Sequence, residues 1–401
     1  MIKERFILES QINLCLLPPE GRAEETALFT MEQARAVRAF HGGIPGYAPT
    51  PLYSLSSLAG RLGLGSLCVK DESPRFGLNA FKSLGGSYCI ALYLAEEFGI
   101  SPAELTYDRI RSLASSGALE GRAVVTATDG NHGRGVAWAA NSMGLACHVF
   151  MPRGSAQERL ENIRKQGAQA EILDCNYDDA VRHAAKTAKE NGWALMQDTE
   201  LPGSRKHLLR LMQGYTTMAA ELMEQWEGPA PTHVFLQAGV GSMAGAMAAC
   251  LSDLWREEKP LITVVESNQA DCLYRTALHD DGRLYTVGGD LNTIMAGLAC
   301  GEPCLTAWKL LRAHAGAYLS ISDQVTIRGM RALAHPIGGD AAIVSGESGA
   351  ATAGTVISLM EEDRFASIRN ALGLGGNSRV LVLSTEGATD RANYEKIVNA
   401  G

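Results

Sequence analysis

A lysine at the junction of a loop and a helix can act as a nucleophile, and Lys82 has that setting. It lies in Asn79-Ala80-Phe81-Lys82-Ser83-Leu84-Gly85-Gly86-Ser87, between a strand-like run at 67–72 and an apolar helical run at 88–98. The positive end of a helix macrodipole disfavours a second positive charge. Burial works the same way and exposes a neutral amine. Neutral amines attack aldehydes, so Schiff-base chemistry is the reactive reading of Lys82. The ordinary alternative is a solvated lysine near a helix start.

Other stretches carry residues of the same kind. Thr126-Ala127-Thr128-Asp129-Gly130-Asn131-His132-Gly133 runs from a strand into a helix. Its glycines let backbone close on a ligand, and Asn131 can donate to a phenolate oxygen; an Asx-capped turn is the plain alternative. His132 reads as structural, because nothing in the sequence supplies it with a partner. Gln237-Ala238-Gly239-Val240-Gly241-Ser242-Met243 follows an apolar strand and opens a small-residue helix. Successive N–H groups at such a helix start cradle phosphate. The same stretch fits a dinucleotide fingerprint with altered spacing. Glu266 even ends the next strand, where a ribose-binding acid would stand. Asp198 follows a strand at 194–197. Ser384 and Thr385 end the last strand and both offer hydroxyls; with Glu386 and the 346–351 segment they could equally be helix caps.

The segment from Lys70 to Gly86 resembles the lysine segment of the fold-type II pyridoxal-phosphate (PLP) enzymes, and its wording is similar to the diaminopropionate ammonia-lyases. Thr50-Pro51-Leu52, Asp129-Gly130-Asn131-His132-Gly133 and the 292–298 stretch extend the resemblance over about 50–390. The resemblance implies that Lys82 carries PLP and Asn131 contacts its ring oxygen. It implies that Gly239, Val240, Gly241, Ser242 and Met243 hold the phosphate. Ser384 or Thr385 then meets the pyridine nitrogen, and the sequence does not choose. Asp129 stands where most fold-type II enzymes have a small residue, a departure shared with the ammonia-lyases. The implied reaction is α,β-elimination of 2,3-diaminopropionate, as both enantiomers, to pyruvate and ammonia. Lys82, Asp129 and Asp198 are its catalytic candidates, because an amine leaves poorly unless protonated and a carboxylate can hold that ammonium. Two rivals stand beside this reading. One is a threonine or serine dehydratase of the same fold. The other is an NAD-binding oxidoreductase or nucleotide-binding protein, which would have no need of the lysine segment.

These residues need elements to position them. From 123 onward, short β-rich runs alternate with helical periods, the pattern of parallel sheets covered on both faces. Strands are expected at 123–128, 147–151, 170–173, 194–197, 232–237, 261–266, 317–321 and 379–384. One long helix is expected over 207–226, and residues 1–66 read as an irregular lead-in with a helix near 31–39. The fold class is therefore α/β: two open, twisted, mostly parallel sheets flanked by helices. Residues 1–84 plus 201–401 would form a large PLP-binding domain and 85–200 a small one.

The 401 residues are 46% hydrophobic and 20% charged, with net charge −8. That is ordinary globular material, and its sign argues against nucleic acid or anionic membrane as partner. Scattered histidines and nine cysteines without a CxxC pair give no metal-ligand spacing and no disulfide scaffold. No signal-peptide core or 18-residue apolar run is present. A cytoplasmic homodimer acting on a small amino acid is the expectation that completes this reading.

Overall fold

The computed structural model describes residues 6–128, 130–201 and 203–400. The chain divides into two compact units, Met1–Met31 with Pro49–Asn79 and Glu221–Gly401, and Glu32–Ala48 with Ala80–Ala220. Lys82 and Asp198 thus share the second unit. That unit adds 32–48, 80–84 and 201–220 to the stretch the sequence marked out as a small domain.

The first unit is built on eight strands: β1 (Phe6–Leu8), β2 (Ile12–Leu16), β3 (Leu52–Ser54), β4 (Ser66–Asp71), β9 (His233–Gln237), β10 (Leu261–Ser267), β11 (Ala317–Ile321) and β12 (Arg379–Ser384). The second holds β5 (Ala123–Ala127), β6 (Ala146–Met151), β7 (Gln169–Ile172) and β8 (Ala194–Leu195). In the larger sheet the order is β1-β2-β11-β10-β9-β12-β4-β3. Its five central strands, β11 to β4, run parallel, and the outer pairings are antiparallel. The smaller sheet, β7-β6-β5-β8, is parallel throughout.

Central parallel strands are covered on both faces, so they read as continuous apolar runs. His233-Val234-Phe235-Leu236-Gln237 is buried at every position. So is Ala123-Val124-Val125-Thr126-Ala127. Val69, Phe235, Val265, Leu319 and Val382 anchor the core of the larger unit. In the smaller unit Val125, Ala127 and Phe150 pack with Ala180, Val181, Ala184 and Ala188. Those four residues form one stripe of the helix Tyr177–Asn191, which the Asn176 side chain caps at its start and Gly192 ends at φ 66°.

Two expectations need correction. The lead-in is not irregular: β1 and β2 form a hairpin, and β2 pairs antiparallel with β11. Ile12, Leu14 and Cys15 are fully buried there, but strands of three and five residues give little pattern to read. The single helix over 207–226 is two, Arg205–Tyr215 and Thr217–Gln225. At the break the Thr216 hydroxyl donates to the Gln213 carbonyl at 2.7 Å. This competes with regular helix geometry.

One polar cluster fixes the end of β4. Lys70, Glu72, Arg75 and Glu221 are all buried. The Lys70 ammonium donates to Glu221 at 2.6 Å, to the Thr50 carbonyl at 2.7 Å and to Gln225 at 2.9 Å. The Arg75 guanidinium donates to both Glu72 oxygens, each at 2.9 Å, and to both Glu221 oxygens at 2.7 and 2.8 Å. Burial opposes the charged Glu221 carboxylate, yet Arg75 and Lys70 hold it below its ordinary value of 4.5. Glu221→Gln leaves two buried cations short of a partner and should cost about 3–5 kcal/mol in urea unfolding. Because this carboxyl is depressed in the folded state, its contribution is present above about pH 4.5 and is lost as pH falls through the folded value. The wild-type-to-mutant difference should therefore shrink in acid, and a difference constant with pH would contradict the pairing.

Candidate active site

Lys82 opens the helix Lys82–Glu97 in the second unit. Its Nζ lies 2.6 Å from Asp198 Oδ2. The amine expected to be neutral therefore meets a carboxylate. Asp198 is brought there by the extension of β8. The Met196 N–H donates to the Val125 carbonyl at 2.9 Å. Gln197 then continues the pairing with its side chain. Its Oε1 accepts from the Ala127 N–H at 3.1 Å and its Nε2 donates to the Ala127 carbonyl at 3.1 Å. With Gln197 clamped on β5, the next residue leaves the sheet at a fixed point.

His132 joins the pair. Its Nε2 donates to the Met196 carbonyl at 2.9 Å, and its Nδ1 lies 3.7 Å from Asp198 Oδ2. The structure thus supplies His132 with the partner that the sequence did not. Its partner comes from a strand 66 positions on, and no local signal could show it. Burial works against the Asp198 carboxylate, but His132 and Lys82 outweigh it and hold the group below the usual carboxylate range. Tyr215 also borders the site. Its ring meets Phe81 edge-on at 4.8 Å, and its hydroxyl is buried without a hydrogen-bond partner among the described residues.

Asn131 begins the helix Asn131–Ser142 and is half-buried. Gly135, one turn on, lets that helix touch the backbone of the lysine. A Cβ there would sit 2.8 Å from the Lys82 carbonyl carbon and from the Ser83 nitrogen. Asp129 lies outside the described residues.

The glycine-rich segment belongs to the first unit. Gly239 and Val240 lead from β9 to Gly241, which caps the helix Ser242–Leu254 at φ 99°. L side chains rarely adopt that φ. A Cβ on Gly241 would also crowd Leu273 at 3.1 Å and Ala307 at 3.2 Å, and one on Gly239 would crowd Cys300 Sγ at 3.1 Å. The first N–H groups of a helix point out of its N-terminus, where they can meet an anion.

Gln237, at the end of β9, joins this loop to the last strand. Its Nε2 donates to the Ser348, Gly349 and Leu383 carbonyls at 3.2, 3.1 and 3.0 Å and to Thr385 Oγ1 at 3.0 Å. Its Oε1 is buried and has no partner among the described residues. The Ser348 hydroxyl accepts from the Gly297 N–H at 3.0 Å, and Glu386 accepts from the Ser348 N–H at 3.0 Å. The segments 239–243, 292–298, 346–351 and 384–387 are thereby one assembly. Ser384 Oγ donates to Ser345 Oγ at 2.8 Å. Glu266, the acid a dinucleotide site would use, accepts from the Leu273 and Tyr274 N–H groups at 2.9 and 2.6 Å. It caps its own helix and is fully buried.

The arrangement offers an amine beside a carboxylate and, in the other unit, a glycine turn that opens a helix, a type of site suited to a phosphate. The family model described as pyridoxal-phosphate dependent enzyme matches residues 44–386. That match defines the class. The chain is 46% identical over 382 residues to the diaminopropionate ammonia-lyase of Salmonella typhimurium, covering 94% of this chain and 95% of the relative. The crystal structure of holo diaminopropionate ammonia-lyase from Escherichia coli matches with a TM-score of 0.90 and 41% identity over 98% of both chains. The same enzyme in complex with D-serine matches with a TM-score of 0.89 and 41% identity, covering 99% of this chain and 98% of that one. The chain belongs to the pyridoxal-phosphate dependent enzyme family, among its diaminopropionate ammonia-lyases.

The residues fit that cofactor. At Gly239 and Gly241 a Cβ would crowd Cys300, Leu273 and Ala307, so the turn that opens the helix is kept as bare backbone, as the close approach of a phosphate requires. Gly241→Asp would add a side chain to the close approach and a negative charge beside a phosphate. Titration of the apoprotein with PLP should show at least about tenfold weaker binding, roughly 1.4 kcal/mol. Unchanged affinity would remove this loop from the cofactor site.

Proposed function

We propose that this protein is a carbon–nitrogen lyase that eliminates ammonia from 2,3-diaminopropionate. The observation that carries the reading is the 2.6 Å pair of Lys82 and Asp198 at a helix start, in a chain 46% identical to an ammonia-lyase. The overall reaction takes diaminopropionate and one water to pyruvate and two ammonia. PLP, when bound, supplies an electron sink for the charge left at Cα.

The chain's own residues do the rest. Lys82 carries the cofactor aldehyde and moves the proton at one face of Cα. Asn131 orients the cofactor's ring oxygen. Gly239, Val240, Gly241, Ser242 and Met243 hold its phosphate. Ser384 faces the ring nitrogen, since it is the last residue of β12 and ligands of such sheets bind at the carboxyl ends of strands. Thr385, one residue on, is held by Gln237. Asp198 keeps the β-amino group protonated, which makes it a leaving group. Asp129 serves as the base on the opposite face of Cα, so that both enantiomers react. The solved complex of the E. coli enzyme with D-serine supports room for a D-amino acid in a related site. We further place the enzyme in the cytoplasm as a homodimer. The nine unbridged cysteines support the reducing compartment, and sedimentation tests the dimer.

Lys82→Ala should abolish both turnover and the yellow, borohydride-fixable cofactor while circular dichroism stays native. A mutant that still fixed cofactor would move the attachment point elsewhere.

Asp129→Asn should lose activity mainly on the D-substrate. Asp198→Asn should slow both enantiomers. One general base is worth about 10²–10⁴ in rate, so the D/L ratio of kcat/KM separates the two roles. Equal slowing of both enantiomers by Asp129→Asn would make it a shared binding group.

A further inference from the structure

The second unit contains a buried hydroxyl that the reaction above does not use. Tyr215 ends the helix Arg205–Tyr215 and is 1% exposed. Its hydroxyl oxygen is buried and has no hydrogen-bond partner among the described residues. Buried polar atoms are paired as a rule, so one left over in a folded chain calls for a reason. Burial pushes the Tyr215 phenol up, so it keeps its hydrogen and has it to give.

Two glycines bring this hydroxyl to the turn that carries the lysine. A Cβ on Gly214 would sit 2.7 Å from Gly85 Cα, so the helices Arg205–Tyr215 and Lys82–Glu97 touch there through bare backbone. A Cβ on Gly85 would sit 2.6 Å from Tyr215 Cε1 and 2.9 Å from Cζ, the carbon that bears the hydroxyl. The Tyr215 ring thus fills the place of a side chain at position 85. Residues three apart share a helix face, and side chains lean toward the N-terminal end. The neighbour of position 85 in that direction is Lys82. Phe81 touches both: its ring meets Tyr215 at 4.8 Å between centroids, and Lys82 Nζ lies 5.8 Å from its centre.

The groups around Lys82 favour different forms of its amine. Asp198, just beyond β8, accepts from Nζ and favours the ammonium. His132, on the helix Asn131–Ser142, faces the same carboxylate. On the lysine's own helix Cys89 is fully buried, with its thiol pushed up to about 12. His41, from the helix Met31–Gly42, is buried and donates to the Leu84 carbonyl at 3.1 Å. Tyr215 adds a neutral donor. An ammonium has no lone pair to receive its hydrogen, whereas a free amine has one.

We propose that Tyr215 is a positioning residue for Lys82: its hydroxyl donates to the lysine nitrogen when the amine is free, and so holds it in the form that attacks an aldehyde. The proton that Lys82 gives up passes to Asp198 across the 2.6 Å contact and from there to water. The uncharged amine then turns from the carboxylate to the phenol. Each state of the lysine has its own partner, and the buried hydroxyl is unpaired only while the ammonium sits on Asp198. The role rests on the reading of Lys82 as the amine that takes the cofactor aldehyde.

The measurement is the rate at which formaldehyde and cyanoborohydride methylate Lys82 in the full-length apoprotein, followed against pH by mass spectrometry of the peptide that carries it. The free amine is the form that reacts, so the midpoint of the profile reports the balance between the two forms. Tyr215→Phe keeps the ring against Phe81 and Gly85 and removes the oxygen. It should raise the midpoint by about one unit, a tenfold smaller fraction of free amine at lower pH. Asp198→Asn should lower the midpoint. A midpoint unmoved or lowered by Tyr215→Phe overturns the proposal, even where the rate falls at every pH, because a merely structural role changes the rate and not the titration. Should Tyr215→Phe fail to fold, difluorotyrosine placed at position 215 decides. It is a more acidic phenol of nearly the same shape and should lower the midpoint; an unmoved or raised one overturns the proposal. Bound PLP should shield wild-type Lys82 from methylation. Absence of shielding overturns the reading of Lys82 as the cofactor amine and the role of Tyr215 with it, whereas shielding with an unmoved midpoint overturns the role of Tyr215 alone.

Discussion

The buried cluster of Lys70, Glu72, Arg75 and Glu221 is the constraint on which the lysine segment depends. Removing four charges from water costs several kcal/mol per ion, and their mutual attraction does little more than return it. The cluster is therefore better understood as a device for uniqueness than as a source of net stability. All three ammonium hydrogens of Lys70 find acceptors, and Arg75 reaches both oxygens of two carboxylates. A slip of one residue would leave buried charges unpaired. Beyond Arg75 the backbone enters the left-handed region at Phe76 and Asn79, φ 50° and 53°. Such residues cost on the order of 1–3 kcal/mol each and persist only where their surroundings over-determine them. The cluster holds one end of this strained run. The Gly387 N–H, donating to the Asn79 carbonyl at 3.0 Å, holds the other. Lys82 follows three residues later.

In the second unit the same logic applies on a smaller scale. Asp198 is buried, so it must be paired to remain charged, and Lys82 with His132 supplies the pairing. The His132 ring is fixed by a carbonyl two residues before Asp198. The carboxylate and its orienting histidine thus move as one piece with the end of β8. Gly135 lets the histidine-bearing helix approach the Lys82 backbone. A larger side chain there would force the two helices apart and lengthen a contact that works at 2.6 Å. Proximity of this kind is worth far more to a reaction than the stability of the pair itself.

Most of the architecture was legible because its strands are buried on both faces. Val124-Val125 and Val234-Phe235-Leu236 announce themselves by composition alone. Lys70-Asp71-Glu72 shows the opposite case. Three consecutive charged residues read as the exposed end of a strand, yet all three are buried. Their partners Glu221 and Ser384 are distant in sequence, and pairing at that range leaves no local trace. The partners of His132 went unseen in the sequence for the same reason. The β1–β2 hairpin was missed because short strands carry almost no periodicity. The break at Thr216 depends on one hydroxyl choosing the Gln213 carbonyl. Motif wording located Lys82 and Asp198 separately, and only the fold brought them into contact.

The rival dinucleotide reading fails on a related point. A strand, a glycine turn and a helix start form a phosphate site whatever lies beyond the phosphate. Gly239 to Met243 therefore could not by itself distinguish NAD from PLP. What separates them is the acid on the neighbouring strand. A ribose-binding acid must face the ligand with its oxygens available. Glu266 spends its oxygens on the N–H groups of Leu273 and Tyr274, and burial raises its pKa well above the ordinary carboxylate range. It stabilises the start of a helix and has nothing left to offer a ribose. Gln237 on the adjacent strand has the complementary arrangement, with its amide nitrogen satisfied and its oxygen not. Identical backbone geometry at a strand end thus leaves the choice of ligand to the neighbouring side chains, according to which of their polar atoms the fold has already used.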